Sequence, residues 1–536
     1  MLLPVLHRAW TAAGMTATLS TAHPAARLAG DHLTALDAGD RGVEPIVGWA
    51  GPVDLPLTDE VLVQAACGIM HVHGRARGTP EPLAVDYATA VAGVLATAGV
   101  LAAEFARARG RPVSAVRTSV AQAALLSVGQ YLACGPDGPA RAAGVPPPFV
   151  SGDGVRFEIE TLRAEDWHRF WRAMGAGDQM LREGWPPFLH RFATATCPLP
   201  AALHDVLSAH PFTEIHRAGA ACEVSVVPIG DAPPVPVWTF SPLPGGPGAP
   251  AADPGLDAPL RGIRVVESAR RIQGPLAGHV LGLLGADVLR IEPPGGDPAR
   301  GVPPLTGGVS ARFAALNAGK DAVELDLTHP AGRAAAKELV AGADVFLHNW
   351  APGKAEAWGM DAPDLAAVRP GLVYAAASGW GPHLGRRPPL GTDYVVQAYS
   401  GLAAALRPPG EPPAPSLMTI TDVLGGLVCA VGVLAGLGRR ERTGAGCRAD
   451  TSLLSAASTV PRSRREFRRP IRTADGYVAV SATTVHDDTG QCTSEELLAG
   501  LRAAGVPAVA VTTDLGALSI DPRFAAALHR PPWEFR

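Results

Sequence analysis

Residues 262–294 read GIRVVESARRIQGPLAGHVLGLLGADVLRIEPP. Within this stretch, the short apolar run Gly262–Ser268 predicts a buried strand, and Leu276–Leu284 predicts a helix that ends at Gly285. The next apolar run, Ala286–Glu292, predicts a second strand. A strand, a helix and a strand in this order are typical of a right-handed parallel βαβ unit.

The alternation of strands and helices continues downstream. Pro330–Gly342 predicts a helix, and Asp344–Asn349 and Leu372–Ser378 predict further strands. The expected fold class is therefore α/β with a parallel, Rossmann-like sheet, and a nucleotide-like ligand is expected where the strands end. Since the segment Ser268–Gly278 lacks the pattern GxGxxG, we do not expect NAD to be that ligand.

The bulk composition favours small-molecule chemistry. A chain of 536 residues is long enough for about two to four domains. The net charge is -4 and the charges are scattered, which argues against binding of nucleic acid or of an anionic membrane surface. The 7 cysteines include no CxxC pair, so neither a disulfide framework nor a structural zinc site is expected, and no metal site is predicted.

The cysteine pattern fits a reducing cytoplasm, and two further features argue against export and against a membrane span. The N-terminal segment Met1–Met15 has no continuous apolar core of the kind found in a signal peptide. The apolar runs Ala88–Ala103 and Val423–Gly438 are each about 16 residues long, shorter than the roughly 20 residues that span a bilayer. We expect both runs to form helices that are buried on all sides within the protein.

The two halves of the chain resemble each other at an offset of 333 positions. In this register Val63–Ala65 falls on Val396–Ala398, and Gly99–Ala102 falls on Gly432–Ala435. The register holds without gaps for about sixty residues, and its polar matches are not explained by an alanine- and glycine-rich composition. These polar matches pair Arg107, Arg109, Thr118 and Ser119 with Arg440, Arg442, Thr451 and Ser452. The sequence therefore predicts a tandem duplication.

A proline- and glycine-rich segment, Pro242–Pro254, predicts a linker between the halves because these residues disfavour both helix and central strand. The second half has a full α/β leader from Leu260, whereas the first half has only a degraded helical pattern before Gly48. The predicted division is a degenerate, partial large domain (1–148), its small α+β domain (149–240), the linker (241–258), a CoA-binding α/β large domain (259–460) and a truncated small domain (461–536).

The CoA assignment in that division comes from a series of short motifs in the second half. They are Gln273–Pro275, Leu284–Val288, Ile291–Arg300, Asn317–Lys320, Asn349–Gly353, Ser378–Pro382, Asp393–Gly401 and Thr443–Gly446. In this order, over roughly 200 residues, they resemble the family III CoA-transferases, the family of formyl-CoA transferase, carnitine dehydratase and CaiB/BaiF-like proteins. The resemblance implies a tandem-duplicated family III fold that takes coenzyme A or acyl-CoA as its substrate.

The resemblance also implies that Asp422 is the catalytic nucleophile. Asp422 precedes the apolar run Val423–Gly438, which places a carboxylate at a helix N-terminus, and from the residues alone an N-cap aspartate is the simpler interpretation. Asp393 stands where the family often has an acidic residue, which implies a role in assisting or positioning, and a surface acid is the alternative. In the first half Thr89 falls on Asp422, which predicts a catalytically inactive copy.

Four residues are expected to contact CoA. Arg300 and Lys320, on loops after strands, are cations suited to its phosphates, and a solvated surface charge is the alternative interpretation of each. Gln273 belongs to the first family motif, and Asn349 is expected either to hydrogen-bond the ligand or to cap a turn. The family commonly has a basic residue after its Pro-Gly turn. In this chain the residues Ala355–Gly359, which follow Lys354, include no basic residue, which predicts weak CoA affinity or the use of another cation.

The predicted function is a CoA-transferase that moves CoA from an acyl-CoA to a carboxylate through an aspartyl anhydride and an aspartyl-CoA thioester, without a metal. The alternative is a non-catalytic or regulatory CoA-binding paralogue, because the C-terminal tail is short and no glycine-rich loop follows Ser455. An α-methylacyl-CoA racemase is disfavoured because Thr392 stands at the place of its histidine. We expect the halves to form an intramolecular pseudo-dimer with one site, between Asp422 and the first small domain. Further homodimerisation stays open.

Overall fold

The computed structural model describes residues 23–37, 42–135, 144–246, 257–385, 387–462, 467–481 and 492–536. Its strands are β1 (Glu44–Gly48), β2 (Ala115–Ser119), β3 (Phe149–Val150), β4 (Arg156–Glu160), β5 (Ser225–Pro228), β6 (Thr239–Gly245), β7 (Arg264–Ser268), β8 (Asp287–Glu292), β9 (Leu305–Thr306), β10 (Val309–Ser310), β11 (Asp321–Glu324), β12 (Val345–His348), β13 (Val373–Ser378), β14 (Ala445–Ser452), β15 (Ile471–Arg472), β16 (Tyr477–Val480), β17 (Ala508–Ala510) and β18 (Glu534–Phe535).

Its helices are α1 (Pro24–Ala35), α2 (Glu60–Ala66), α3 (Ile69–Gly74), α4 (Tyr87–Ala108), α5 (Val120–Leu132), α6 (Ala164–Ala173), α7 (Asp178–Leu189), α8 (Arg191–Thr194), α9 (Ala201–Ser208), α10 (Phe212–Ala221), α11 (Gln273–Leu283), α12 (Ala311–Asn317), α13 (Pro330–Ala341), α14 (Lys354–Ala357), α15 (Ala362–Val368), α16 (Asp393–Tyr399), α17 (Leu402–Ala405), α18 (Ile420–Thr443), α19 (Leu453–Ala457), α20 (Ser494–Ala503), α21 (Leu515–Ile520) and α22 (Ala525–Leu528). A short 3-10 helix covers Pro298–Gly301.

The largest sheet is built mainly by the second half of the chain. Its strands lie in the order β11-β8-β7-β12-β13-β14-β6, and all neighbours are parallel except β6, which runs antiparallel to β14. The predicted strands correspond to β7, β8, β12 and β13, and the predicted helices correspond to α11 and α13. The prediction of an α/β fold with a parallel sheet is therefore confirmed.

Strand β6 continues past residue 241, at which the sequence predicts that the linker begins. The strand extends to Gly245 and pairs with β14 although it contains Pro242 and Pro244. An edge strand tolerates proline because one of its sides has no neighbour that needs an N–H donor. Residues 247–256 of the predicted linker lie outside the described residues.

The two halves exchange strands between their sheets. Strands β1 and β2 are parallel, and β18, near the end of the chain, pairs antiparallel with β2. The antiparallel sheets β3-β4-β5 and β15-β16-β17 lie in the two predicted small domains. Strand β6 follows the first of these sheets along the chain and completes the large sheet of the second half. Each half therefore contributes its last strand to a sheet of the other half.

A tryptophan anchors each exchanged strand to a long helix. Trp238 Nε1 donates to the backbone oxygen of Val428 in α18 at 2.8 Å, and Trp533 Nε1 donates to that of Leu95 in α4, also at 2.8 Å. A Cβ atom at Gly99 would lie 2.6 Å from Trp533 Cδ1, so the indole packs directly on the backbone of α4. The same kind of contact therefore holds both exchanges.

The long helices α4 and α18 pack against each other in the core. Both have the length and the apolar composition to cross a membrane, and 94% of the most apolar stretch of each is buried inside the protein. The prediction that these runs form helices buried on all sides is confirmed. Glycine allows close neighbours on both helices, since a Cβ atom at Gly93 would lie 2.8 Å from Leu28 of α1, and one at Gly426 would lie 2.9 Å from Leu276 of α11.

Matching elements of the two halves begin 333 positions apart. Helices α2 and α16 begin at Glu60 and Asp393, and α4 and α18 begin at Tyr87 and Ile420. The Tyr87 hydroxyl donates to the backbone oxygen of Ile420 at 3.5 Å, so these equivalent positions meet in the core. In the first half, only residues 36–43 separate α1 from β1. In the second half, three strands of the large sheet, β8, β11 and β12, lie between α11 and β13. In the described part of the chain, the broad parallel sheet thus belongs to the second half.

Candidate active site

Asp422 is the third residue of α18 and lines a cleft at the first turn of this helix. Thr419 occupies the N-cap position, so the interpretation of Asp422 as an N-cap aspartate is wrong. The helix begins before Asp422 because the carboxylate of Asp393 accepts hydrogen bonds from the N–H groups of this first turn. The Asp422 side chain is partly buried and faces the cleft from the second half of the chain.

Asp393 is buried at the start of α16 and is hydrogen-bonded to the start of α18. Its Oδ1 accepts from the backbone N–H of Thr421 at 2.6 Å, from the Thr421 hydroxyl at 2.7 Å and from the backbone N–H of Asp422 at 3.0 Å. Gln397 Nε2 donates to the other carboxylate oxygen. Asp393 therefore fixes the backbone that carries Asp422, which is a positioning role, and it does not have the surroundings of a surface acid.

Both halves of the chain line the cleft. The second half contributes Arg271, Thr392, Asp393, Tyr394, Thr419 and Asp422, and the first half contributes Glu160, Thr161, Leu162, Phe188, Leu189, Arg191 and Phe192. The structure thus brings Asp422 together with the first small domain, as the sequence predicts. None of these lining residues is a histidine.

Glu160 ties the first small domain to the helix that begins with Asp393. The buried Glu160 carboxylate accepts from Arg191 at 3.1 Å and from the hydroxyl of Thr392. The guanidinium of Arg191 lies 3.8 Å from the ring centroid of Phe188 and 4.5 Å from that of Tyr394. Such desolvated cation–π contacts, together with the ion pair, make this contact between the halves specific.

Burial and neighbouring charges favour the neutral form of Asp422. The pKa of Asp422 is raised well above its usual range, first by burial and then by repulsion from Asp393; Arg271 opposes the shift and Glu160 adds to it. Burial also raises the pKa of Asp393 to about 6, although its hydrogen bonds favour the charged form. A carboxyl group acts as a nucleophile only when it is ionised, and a raised pKa makes the resulting carboxylate more basic.

Gln273 lies against the start of α18, and Asn349 holds the loop between β7 and α11. Gln273 opens α11, and its Nε2 donates to the backbone oxygen of Ser378 at 3.3 Å. A Cβ atom at Gly425 would lie 3.0 Å from the same Nε2, so Gln273 packs against the turn that follows Asp422. Asn349 accepts from the N–H of Arg270 at 3.0 Å and donates to its backbone oxygen at 2.8 Å, which clamps the loop between β7 and α11.

The two predicted phosphate-binding cations are engaged by protein carboxylates. Arg300 makes two hydrogen bonds of 2.8 Å to Glu292. Lys320 Nζ is buried and donates to Glu267 at 2.8 Å, to the backbone oxygen of Pro275 at 2.6 Å and to Asn317 at 3.0 Å. Burial lowers the pKa of Lys320 to about 8. These contacts use all three protons of the ammonium, and a direct contact of either cation with CoA stays a prediction.

Sequence reasoning missed three charged residues of the cleft, namely Glu160, Arg191 and Arg271. Glu160 and Arg191 belong to the first half, and no local pattern relates them to Asp422. Arg271 lies in the loop after β7, where the pair of arginines at 270 and 271 was a usable signal, because ligands bind at such strand ends.

A model of CoA-transferase family III matches residues 48–235 and 260–464, which together make up most of the chain. The chain belongs to CoA-transferase family III. The matched segments include Glu160 on one side of the cleft and Asp422 on the other, so both walls of this family III cleft carry family sequence.

The family III chain spans about half the length of the curated relatives it matches. It is 37% identical to the succinyl-CoA–L-malate CoA-transferase alpha subunit of Chloroflexus aurantiacus over 202 residues, 37% of this chain and 47% of the relative. It is 31% identical to the human succinyl-CoA:glutarate CoA-transferase over 257 residues, 44% of this chain and 59% of the relative.

Solved structures also resemble the family III chain over half its length. The crystal structure of Rv3272 from Mycobacterium tuberculosis has 29% identity and a TM-score of 0.44, covering 50% of this chain and 88% of that chain. A CAIB/BAIF family protein from Brucella suis has 26% identity and a TM-score of 0.46, with the same coverage.

Proposed function

We propose that this family III member transfers CoA between carboxylic acids, with Asp422 as the nucleophile. The observation that carries the proposal is the position of the Asp422 carboxyl group, on the first turn of α18 in a cleft closed by the other half of the chain. The relatives are named as CoA-transferases that use succinyl-CoA with L-malate or glutarate, and these names support CoA transfer as the reaction class. The absence of a histidine among the described residues that line the cleft favours transfer over racemisation.

In the proposed reaction, the Asp422 carboxylate attacks the thioester carbonyl of the acyl-CoA, and the CoA thiolate leaves. The product is a mixed anhydride of Asp422 and the acyl group. The thiolate then attacks the Asp422 carbonyl, which releases the first acid as a carboxylate and leaves an Asp422-CoA thioester. The acceptor carboxylate repeats the two steps in reverse order, forming a new anhydride and then the new acyl-CoA, and Asp422 returns as a carboxylate.

In this proposal Asp393 positions the first turn of α18. Gln273 and Asn349 fix the loop between β7 and α11, at which we expect CoA to bind. Gln273 packs against Gly425 and Asn349 holds the backbone of Arg270, so both act through fixed geometry. CoA or acyl-CoA is the proposed substrate, with no metal involved. A cytoplasmic location and further homodimerisation stay predictions.

We also propose that the two halves arose by duplication and that only the second half carries a nucleophile. Matched hydrogen bonds support this. Glu60 accepts from the N–H groups of Ala88 and Thr89 at 2.8 Å each. In the second half, Asp393 accepts from the N–H groups of the equivalent residues, Thr421 and Asp422. Thr89 stands opposite Asp422 and has no carboxylate to form an anhydride.

The small domains support the pseudo-dimer in the same way. The N–H of Gly230, after β5, donates to the backbone oxygen of Ala398 in α16 at 2.9 Å. The N–H of Thr512, after β17, donates to that of Ala65 in α2 at 3.0 Å. Ala398 and Ala65 are equivalent positions, so each half docks its small domain on the same helix of the other half.

The nucleophile is tested by trapping. We expect acyl-CoA substrates to label the wild-type protein at Asp422 in the presence of hydroxylamine or borohydride, and mass spectrometry locates the label. Asp422→Asn should abolish labelling and transfer while the protein stays folded, because an amide cannot replace the oxygen nucleophile.

Asp86→Ala, at the N-cap of α4 in the first half, is the control and should lower transfer only modestly. Retention of more than about a tenth of the wild-type turnover by Asp422→Asn, a barrier change below about 1.4 kcal/mol, would show that Asp422 is not the nucleophile. Loss of transfer in Asp86→Ala as severe as in Asp422→Asn would imply two active sites.

A further inference from the structure

Arg271 occupies an unusual place on the second-half wall of the cleft. It lies in the loop between β7 and α11, its side chain is exposed, and it lines the same cleft as Asp422. Arg271 and Asp422 line this cleft from two different elements, the loop after β7 and the first turn of α18. Arg271 is therefore near the reacting group without being part of the buried core.

The backbone of Arg271 is held in a conformation that suits glycine better. Its φ is 66°, in the left-handed region that costs free energy for a residue with a Cβ atom. The clamp of Asn349 on both backbone groups of Arg270 fixes this loop from one residue before. A strained position that carries a long cationic side chain beside a nucleophile points to a role for that side chain.

The charges of the cleft leave Arg271 as the cation available to a ligand. Three carboxyl groups line the cleft, those of Glu160, Asp393 and Asp422, and the other guanidinium, that of Arg191, is buried and paired with Glu160. Among the described residues Arg271 makes no hydrogen bond and no ion pair within 4.0 Å. An anionic substrate that approaches these carboxyl groups is repelled by those that are ionised unless a cation compensates.

We infer that Arg271 binds the second carboxylate of a dicarboxylic acyl group, so that the substrates are dicarboxylic acids and their CoA esters. When one carboxyl group of such an acid is joined to CoA or to Asp422, the other remains an anion, and a guanidinium binds a carboxylate through two parallel hydrogen bonds. Phe188, Leu189 and Phe192 line the same cleft and suit the methylene groups between the carboxyl groups. This inference rests on the proposed function of the cleft.

Binding tests the inference without turnover. In the Asp422→Asn background, calorimetry should show that succinyl-CoA binds about tenfold or more tighter than butyryl-CoA, which lacks the second carboxylate. Arg271→Gln should remove that preference by weakening succinyl-CoA alone. Arg271→Gly, which also relieves the backbone strain, should have the same effect in a protein that folds at least as well.

An Asp422→Asn protein that binds the two esters equally would overturn the inference. A preference for succinyl-CoA that is unchanged in Arg271→Gln would also overturn it. An equal loss of affinity for both esters would overturn it as well, because it would show that Arg271 binds the CoA moiety that they share.

A CoA-transfer assay with two acceptor acids is the second test. The wild-type protein should use succinate better than succinamate, its monoamide, as an acceptor, and Arg271→Gln should reduce kcat/KM for succinate about tenfold or more while succinamate changes little. Equal losses with both acceptors would show that Arg271 acts on Asp422 and would overturn the inference. If the wild-type protein transfers CoA to no acid but its preference for succinyl-CoA depends on Arg271, the proposed function fails and the ligand assignment stands.

Discussion

Asp393 begins α16 and Asp422 lies in the first turn of α18, and the surroundings of these two neighbouring aspartates differ. Asp393 is surrounded by donors, which favour its ionised form and use it to fix the helix. Asp422 lies beside that charge and beside Glu160, which both disfavour a second negative charge. The arrangement separates a carboxylate that holds the backbone from a carboxyl group that lines the cleft without such donors.

This difference predicts a pH-dependent stability. Below about pH 3 Asp422 is protonated in the folded and the unfolded protein, so the stability difference between the wild type and Asp422→Asn should not change with pH there. As the pH rises, the unfolded chain releases the proton and the folded site retains it. The wild type should therefore lose up to about 1.4 kcal/mol per pH unit relative to Asp422→Asn until Asp422 ionises, and less where solvent screens the carboxyl group. Denaturant unfolding from pH 4 to 8 measures this, and a stability difference independent of pH contradicts the raised pKa.

Among the secondary-structure elements, those with a local apolar pattern were predictable from the sequence, such as β7, β8 and α13. Strand β6 was not, because prolines normally exclude a strand and only the neighbouring β14 shows that it is an edge. The same limit applies to the cleft. Asp422 and Asp393 lie in motifs, whereas Glu160 and Arg191 reach the cleft through a fold that joins distant segments. The burial of Lys320 depends on Glu267, which no spacing reveals.

The exchanged strands yield a prediction about their tryptophans. Trp533→Ala should lower the free energy of unfolding by about 3–5 kcal/mol, because it removes a buried indole that packs on Gly99. Trp533→Phe keeps most of the buried ring and loses the hydrogen bond to Leu95, so it should cost only about 1–2 kcal/mol. Chemical denaturation measures both values. A Trp533→Ala protein as stable as the wild type would mean that the β18 exchange contributes nothing to stability.

On the scale of the whole molecule, the proposed site needs both halves of one chain. The second half supplies Asp422 and the broad parallel sheet, and the first half supplies the wall that contains Glu160 and Arg191. The hydrogen bonds of Gly230 and Thr512 hold the halves together at equivalent positions. Among the described residues, both walls of the cleft thus come from one chain.

We therefore expect residues 256–536, expressed alone, to aggregate or to lack transfer activity. This fragment lacks β6, Trp238 and the first small domain, so apolar surface of α18 that they cover becomes exposed. Size-exclusion chromatography and a transfer assay measure the two outcomes. Addition of the first half as a separate chain is the control and should recover activity if the halves reassemble. A soluble fragment with full activity would contradict the pseudo-dimer.

The pairing of β18 with β2 also sets an order of events during synthesis. Ser114, next to β2, and Arg536, next to β18, are hydrogen-bonded across 422 positions of the chain. While the ribosome makes that intervening sequence, β2 has an unpaired edge, and such an edge is a template for pairing with other chains. We therefore expect this edge of the nascent first half to stay open to other chains until β18 leaves the ribosome. A ribosome that stalls in the second half would release a chain with this edge still open.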